Sequence, residues 1–488
     1  MANDATSSSP RVRKLPLSSK LGFGVGQMAE GVKTTVFNTF VLFYYNQIIG
    51  ISATLTALAL GFAVFFDALS DPVAGYLSDR TRSRWGRRHP WIVASALPFG
   101  LSLALLFNPP DGMGDYFYFT WLLAASIAVR LFLTLYHVPH LALGAEMAHD
   151  YVDRTRVFGY GTVFSYIGGF GFWFFSMSFF FATPEDGSHG MYQADQYSPF
   201  SLAAAFVVVL TILICARMTW KEIPYLYAAD SDSAGSIGDF FVQMISVIRN
   251  QSYIRLIIGL IFLTMVVAIE AVFNAFMGVH FWELATEDLR WLAVAVLLGL
   301  PFAFVLAPIL TRLIDKRMTL IACAAVAILN GNVFICLRLF TDVLPANGDP
   351  LIFWCVMSTG FVGGVTAPIV FIMINSMFAD IADEQELITG DRQEGIIYSA
   401  RSFALKATGA LGGVFGGIAL DLIAFPRRAL PGTVDSEVIF NLGLVAGPLT
   451  SFFTFFGLLL FLGYRLNQTR ILAIKAELAE RHAQASSA

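Results

Sequence analysis

Long apolar stretches alternate with short polar connections along most of this chain. They lie near 22–48, 53–79, 90–108, 116–146, 156–182 and 200–217, then near 252–282, 290–313, 318–340, 351–379, 394–424 and 438–464. A helix needs roughly 17–25 apolar residues to cross a bilayer, and in hydrocarbon a helix satisfies its backbone within one segment. The pattern therefore predicts an all-α polytopic membrane protein of about twelve transmembrane helices. Six fall on each side of a polar stretch. Several segments exceed one span, which predicts tilt or extension beyond the bilayer. The expected organisation is a tail over 1–20, a six-helix bundle over 21–217, a linker over 218–251, a second six-helix bundle over 252–466 and a tail over 467–488.

Composition agrees and charge orients the bundle. The chain is 56% hydrophobic and 14% charged, with mean hydropathy +0.67; soluble domains average roughly 45–50% apolar and about 25% charged. Most of the 31 Lys and Arg fall in the two tails and the even-numbered connections. The odd-numbered connections hold only Arg290, Arg427 and Arg428, and the loop 182–199 has no Lys or Arg. Positive residues stay in the cytoplasm, so both termini are expected there, with the protein integral to the plasma (bacterial inner) membrane. The polar N-terminal tail reads as cytoplasmic rather than as a cleaved signal peptide. Cys215, Cys323, Cys336 and Cys355 all lie in apolar segments and read as small hydrophobes. A net charge of -4 and a pI near 6.0 give no sign of a nucleic-acid partner.

Two connections carry amphipathic patterns. Phe240, Phe241, Met244, Ile245 and Ile248 recur at helical spacing in the linker, and 467–488 reads as a short cytoplasmic helix. The halves also look weakly repeated: YLSDR (76–80) follows the second span and RLIDKR (312–317) follows the eighth. Two related bundles around a midplane site are a common transporter plan.

The chemistry concentrates in DALSDPVAGYLSDRTRSRWGRRHPW (67–91). Asp67 and Asp71, four apart, share one helix face, and ionisable groups within a span usually mark an ion or substrate path. Pro72 would free the carbonyl of Ala68. Two carboxylates beside a freed carbonyl suit a sodium ion; close together they equally suit a shared proton. Asp79 reads as a salt bridge to the arginine block. Lys33, Arg130, Arg338 and Lys406 are the basic groups at membrane depth, and Lys406 needs a carboxylate partner, Asp67 or Asp71. Glu30 and Lys33, three apart, suit either an internal ion pair or the solute. Arg130 could meet Glu30 or Glu270. His137 and His140 lack a third metal ligand, and no metal beyond the coupling cation is expected. Gly409, Gly413 and Gly417 follow small-xxx-small spacing, which permits close helix approach. No nucleophile–base pair is present to suggest an enzyme, and no cofactor is implied.

The D-A-x-x-D-P run with its R-x-R-W-G-R-R-x-P-W sequel resembles the glycoside–pentoside–hexuronide:cation symporter family of the major facilitator superfamily. YHVPHLALGAEMAHDYVDRTR (136–156) and DIADEQELITGDRQEGIIYSARSFALK (380–406) add to the likeness. The resemblance implies the major facilitator fold and cation-coupled uptake, by sodium or proton, of a sugar or glycoside. It also implies a cation site of Asp67, Ser70, Asp71 and Thr134, with Lys406 coupling cation and solute. Where melibiose-type members place an acid, a second acid and an arginine for the sugar, this chain has Gly31, His137 and Thr162. The galactoside clamp is absent.

His137-Val138-Pro139-His140 and Glu270 are also similar to the vertebrate sodium-dependent lysolipid symporters, relatives of the same fold. This keeps a lysolipid or other amphiphile as the alternative solute. The candidate solute residues are Glu30, Arg130, His137, Tyr166, Glu270 and Asn274. Membrane lipids and a small solute are the expected partners, and the protein is expected to be a monomer.

Overall fold

The computed structural model describes residues 15–148, 151–185, 187–226, 250–389, 394–464, 466 and 468–487. The described residues are almost wholly helical, with no strand. The helices are α1 (Leu17–Thr35), α2 (Ala53–Arg80), α3 (His89–Leu106), α4 (Asp115–Met147), α5 (Tyr151–Phe179) and α6 (Tyr197–Thr219). There follow α7 (Gln251–Phe276), α8 (Thr286–Phe340), α9 (Pro350–Thr389), α10 (Glu394–Leu422), α11 (Ser436–Leu444), α12 (Thr450–Leu462) and α13 (Gln468–Ser487). The first span runs on from α1 through π-helical turns to Ile49, ending at Gly50 with φ 91°. That left-handed stop suits glycine.

Twelve spans result. Among the described residues eight helices are long and apolar enough to cross a membrane, counting α11 and α12 as one run. The 55-residue α8 is two of these spans joined at Asp315, whose φ of 68° breaks the helix. The amide of Lys316 donates to its Oδ1 at 2.7 Å, stabilising the break. The remaining spans are α1, α2 and α5. The first two carry Glu30, Lys33, Asp67 and Asp71, polarity that lowers their hydropathy. The spans thus match the apolar segments read from the sequence.

The packing is that of two halves. In the first, α1 lies on α5 and α6, α3 on α4 and α6, and α2 on α4; in the second, α8 lies on α9, and α7 on α10 and α12. Across the halves, α2 meets α10 and α5 meets α8. Close approach is built from small residues: a Cβ on Gly31 would lie 2.0 Å from the Ser165 carbonyl oxygen. The expected stripe on α10 is corrected by one residue. Gly412 and Gly416 pack on α7, whereas a Cβ on Gly409 or Gly413 would meet open space; Gly417 does face α2, at Ala53 and Ala57.

The weak sequence repeat does not extend to the carboxylate pair. Aligning Asp79 with Asp315 lays Pro72 on Pro308, but Asp71 on Ala307 and Asp67 on Ala303. The paired carboxylates therefore belong to one half only.

The two ends differ. At the arginine-rich end, Arg88 bridges Asp79 (2.5 Å) and Glu146 (2.8 Å), Lys20 bridges Asp153 (2.6 Å) and Lys316 bridges Asp380 (2.6 Å), each within one half. At the arginine-poor end the halves are joined. Asp421 accepts from Ser52, from the Ala53 amide (3.3 Å) and from the Thr54 amide (2.9 Å). Gln47 accepts from the Ala429 amide at 2.9 Å, Glu287 accepts from the Thr183 hydroxyl at 2.7 Å, and Trp173 donates to Leu289 O at 3.0 Å. One apolar core spans the first half and reaches Phe273, Phe276, Leu420 and Phe425 of the second. A second core fills the other end of the second half. Burial thus seals the halves together at the arginine-poor end.

Two expectations meet the loops and tails. Arg338 is not at membrane depth: it donates to Pro345 O (2.7 Å) and to Asn347, in the loop after α8. The tail helix forms as α13, and Ile471, Ile474 and Leu478 are buried in the second core. The amphipathic run from Phe240 to Ile248 lies outside the described residues.

Candidate functional site: a carboxylate pair beside a cavity

Asp67 and Asp71 sit one turn apart on α2, facing α4 and α10. Asp67 is buried at 8% exposure, and the side chain of Asp71 is about a third exposed at 34%. The Thr134 hydroxyl of α4, itself buried, lies 2.8 Å from Asp67 Oδ1 and 3.1 Å from Asp71 Oδ1. Ser70 Oγ donates back to the Asp67 carbonyl at 3.0 Å and lies 3.4 Å from Thr134 Oγ1. The four residues named from the sequence for the cation are therefore neighbours. Ala68 and Pro72, where a freed carbonyl is expected, lie within α2, and their side chains are outside those described.

Lys406 completes the cluster from α10. Its Nζ donates to Asp71 Oδ2 and lies 3.2 Å from Asp67 Oδ2. The open question of its partner resolves as both. Arg130 Nη1 of α4 stands 3.7 Å from Asp67 Oδ2, over the Phe37 ring. It meets neither Glu30 nor Glu270. Two carboxylates face two cations, so the cluster is electrically balanced, as burial requires. The donor set is all oxygen, which suits a hard cation. Lys406 occupies the position from which a small cation would touch both carboxylates. Among the described residues no group of three or more His, Cys, Asp or Glu is placed to hold a metal ion. His140 is buried against Phe23, with ring centroids 4.3 Å apart, and is packing.

Beside this cluster lies a cavity of about 490 Å³ between α1, α4 and α5. Glu30, His137 and Tyr166 line it, as expected for solute residues, and so do Gly31 and Thr162, the positions where the sugar clamp is absent. Arg130, Glu270 and Asn274 do not line it. Arg130 is committed to Asp67, and the other two are exposed positions of α7, in the second half. Glu30 is not ion-paired to Lys33 among the described residues. Its Oε1 accepts from Thr34 (2.8 Å) and its Oε2 from Ser165 (3.2 Å), while Lys33 stands 5.4 Å over the Phe37 ring. Thr34 and Ser165 were not anticipated. The Glu30–Thr34 spacing of four was legible as a helical pair, but nothing local ties Ser165 to Glu30.

A two-bundle membrane protein with balanced charges between its spans and a cavity beside them has the architecture of a carrier. The chain belongs to the family described as MFS/sugar transport protein, whose model matches residues 22–468. It is similar to the inner membrane symporter YicJ of Escherichia coli (24% identical over 408 residues, 83% of this chain and 82% of that one). It is also similar to the isoprimeverose transporter of Lactiplantibacillus pentosus (22% over 431 residues; 86% and 83%). A symporter of Synechocystis, sll1374, is 34% identical over 168 residues, a match of 33% of this chain and 31% of that protein. Among solved structures, a bacterial homologue of the human lysosomal transporter Spinster, inward-facing, aligns with a TM-score of 0.60 at 14% identity, covering 93% of this chain and 98% of that one. That likeness shows the shared fold. The chain is thus an integral membrane protein of the major facilitator fold and a transporter of the sugar family.

Proposed function

We propose that the chain is a cation-coupled symporter that takes up a sugar or glycoside by alternating access. The observation that carries this is the position of Lys406, between Asp67 and Asp71 and tied to both. A sodium ion or proton that takes over the carboxylates must displace the Lys406 ammonium, because two cations at one site repel. Lys406 belongs to α10, which packs across the halves on α2. Cation binding would thereby act on the contact between the halves, the element that alternating access moves. Thr134 and Ser70 supply the remaining oxygens. Glu30, His137 and Tyr166 present the solute side, with Arg130 holding Asp67 in place.

The positive-inside pattern assigns the arginine-rich end, with both termini, to the cytoplasm of a bacterial inner membrane. The joined end is then external, and the described conformation is closed outside. The domain limits at 21–217 and 252–466 follow the two sets of six spans, and the carrier is taken to act as a monomer.

The test is uptake into liposomes carrying the full chain, with an inward sodium gradient, an inward proton gradient or neither, for a panel of neutral glycosides and one lysolipid. Asp71→Asn is expected to abolish gradient-driven accumulation by at least tenfold while the protein remains monodisperse. Undiminished gradient dependence in that variant would refute the cation site. Entry of the lysolipid alone would transfer the reading to the amphiphile class.

A further inference from the structure

This inference rests on the sugar-symport reading and narrows it. We propose that the α1–α4–α5 cavity selects an uncharged sugar and rejects a hexuronate, with Glu30 as the residue that makes the distinction. Three observations converge.

The lining carries one carboxylate, Glu30, and one imidazole, His137. Among the described residues no Lys or Arg lines it. The three bases at this depth face elsewhere: Arg130 toward Asp67, Lys406 toward Asp67 and Asp71, and Lys33 over Phe37. A sugar carboxylate entering the cavity would confront Glu30 with no ammonium or guanidinium among the described lining residues and the His137 imidazole as the base beside it. Like charges placed together are a means of rejecting the wrong ligand.

The carboxylate is pre-set to accept. Thr34 and Ser165 hold one oxygen each. An ionised carboxylate has about four lone-pair sites, so roughly two remain for ring hydroxyls. A neutral glycopyranoside supplies such donors at C2, C3, C4 and C6, whereas a uronate replaces the C6 donor with a pure acceptor. Gln27, Thr35 and Thr162 add uncharged partners on the same walls.

The remaining wall suits a pyranose. Tyr166 and Phe170 lie one turn apart on α5 with rings nearly parallel, 6.0 Å between centroids and 10° between planes. Both face the cavity with Leu141 and Phe158. Such a surface accepts the C–H face of a ring while polar groups opposite fix its hydroxyls.

The experiment uses matched pairs differing at C6 alone: p-nitrophenyl β-D-glucopyranoside against the glucuronide, and the galactopyranoside against the galacturonide. Uptake is measured in proteoliposomes of the full chain, for the wild type, Glu30→Gln and Ser165→Ala. The wild type is expected to prefer the neutral member of at least one pair by tenfold or more. Glu30→Gln is expected to raise KM for the neutral glycoside about tenfold, the worth of a charge-assisted hydrogen bond, and to erase the preference. Ser165→Ala keeps the charge, so it is expected to raise KM a few-fold and retain the preference; a general packing defect would not separate the two variants in this way. A wild type that carries both members equally, or a folded Glu30→Gln that keeps the full preference, overturns the inference and leaves sugar symport standing. If Glu30→Gln does not fold, the wild-type ratio and Glu30→Asp, expected to keep the rejection, decide instead. Accumulation of none of the four glycosides would overturn both readings.

Discussion

Asp421, in the last turn of α10, accepts a 2.9 Å hydrogen bond from the amide of Thr54, in the first turn of α2. The same carboxylate accepts from the Ala53 amide and the Ser52 hydroxyl. A side chain of one half therefore caps a helix of the other. The orphan amides at a helix N-terminus and its dipole both favour an anion there.

Asp421→Asn keeps the shape and removes the charge. The closure of the arginine-poor end, external in the proposed orientation, is expected to weaken by about 1 kcal/mol, roughly fivefold in population. A cysteine introduced at Thr35, on the cavity wall, in a background lacking the four native cysteines, reports this. An impermeant maleimide added outside should label it several-fold faster in the Asp421→Asn protein. Equal labelling rates would show that the cap does not hold the end shut.

Thr134 lies within reach of both carboxylates through one hydroxyl, at 2.8 and 3.1 Å. Thr134→Val preserves volume and removes the oxygen. The expected loss is about 1–2 kcal/mol at the cation site, read as a roughly tenfold rise in the cation concentration that half-saturates uptake. The maximal rate at saturating cation should change little. An unchanged cation dependence would exclude Thr134 as a ligand.

His189, in the loop before α6, is held at about 4 by burial, below its ordinary 6.5. Its Nδ1 accepts from the Met191 amide at 3.3 Å, which leaves Nε2 to carry the hydrogen toward Leu284 O at 3.2 Å. Protonation would set a second donor against the Met191 amide. Because the folded state disfavours the charged ring, the loop is at full stability above about pH 6.5. That stability falls as pH drops through the interval down to about 4. Hydrogen exchange of residues 187–197 at pH 7.5, 5.5 and 4.5, corrected for intrinsic rates, should show progressive loss of protection. His189→Gln should flatten that trend; an equal trend in the variant would assign it to other groups.

The sequence was most informative where the physics is local. Span lengths follow from the thickness of hydrocarbon, and the carboxylate pair follows from a spacing of four on one helix. Thr134 and Ser70 came from resemblance, Lys406 both from resemblance and from its need for a carboxylate partner, and the structure brings all three to that pair. The errors were errors of rotation. Gly412 and Gly416, not Gly409 and Gly413, touch α7, because a helix alone does not say which small residues face a neighbour. Arg338 reads as membrane-embedded by position, yet its long side chain reaches the loop carbonyl of Pro345.

What the sequence by itself determined is a chain of about twelve spans in two related halves, with most Lys and Arg at one end and a single carboxylate pair in the first half. Hydropathy, positive charge and i,i+4 spacing are properties of neighbouring residues, and they survive any arrangement of the helices. The tertiary structure alone decided which charges meet. Arg130 pairs with Asp67 rather than Glu30, Lys406 joins both aspartates, Glu30 turns into the cavity on hydroxyls from α1 and α5, and Asp421 caps a helix of the other half. Each of these depends on the phase and distance between helices far apart in the chain. That phase is set by packing of the whole bundle, which no local pattern encodes.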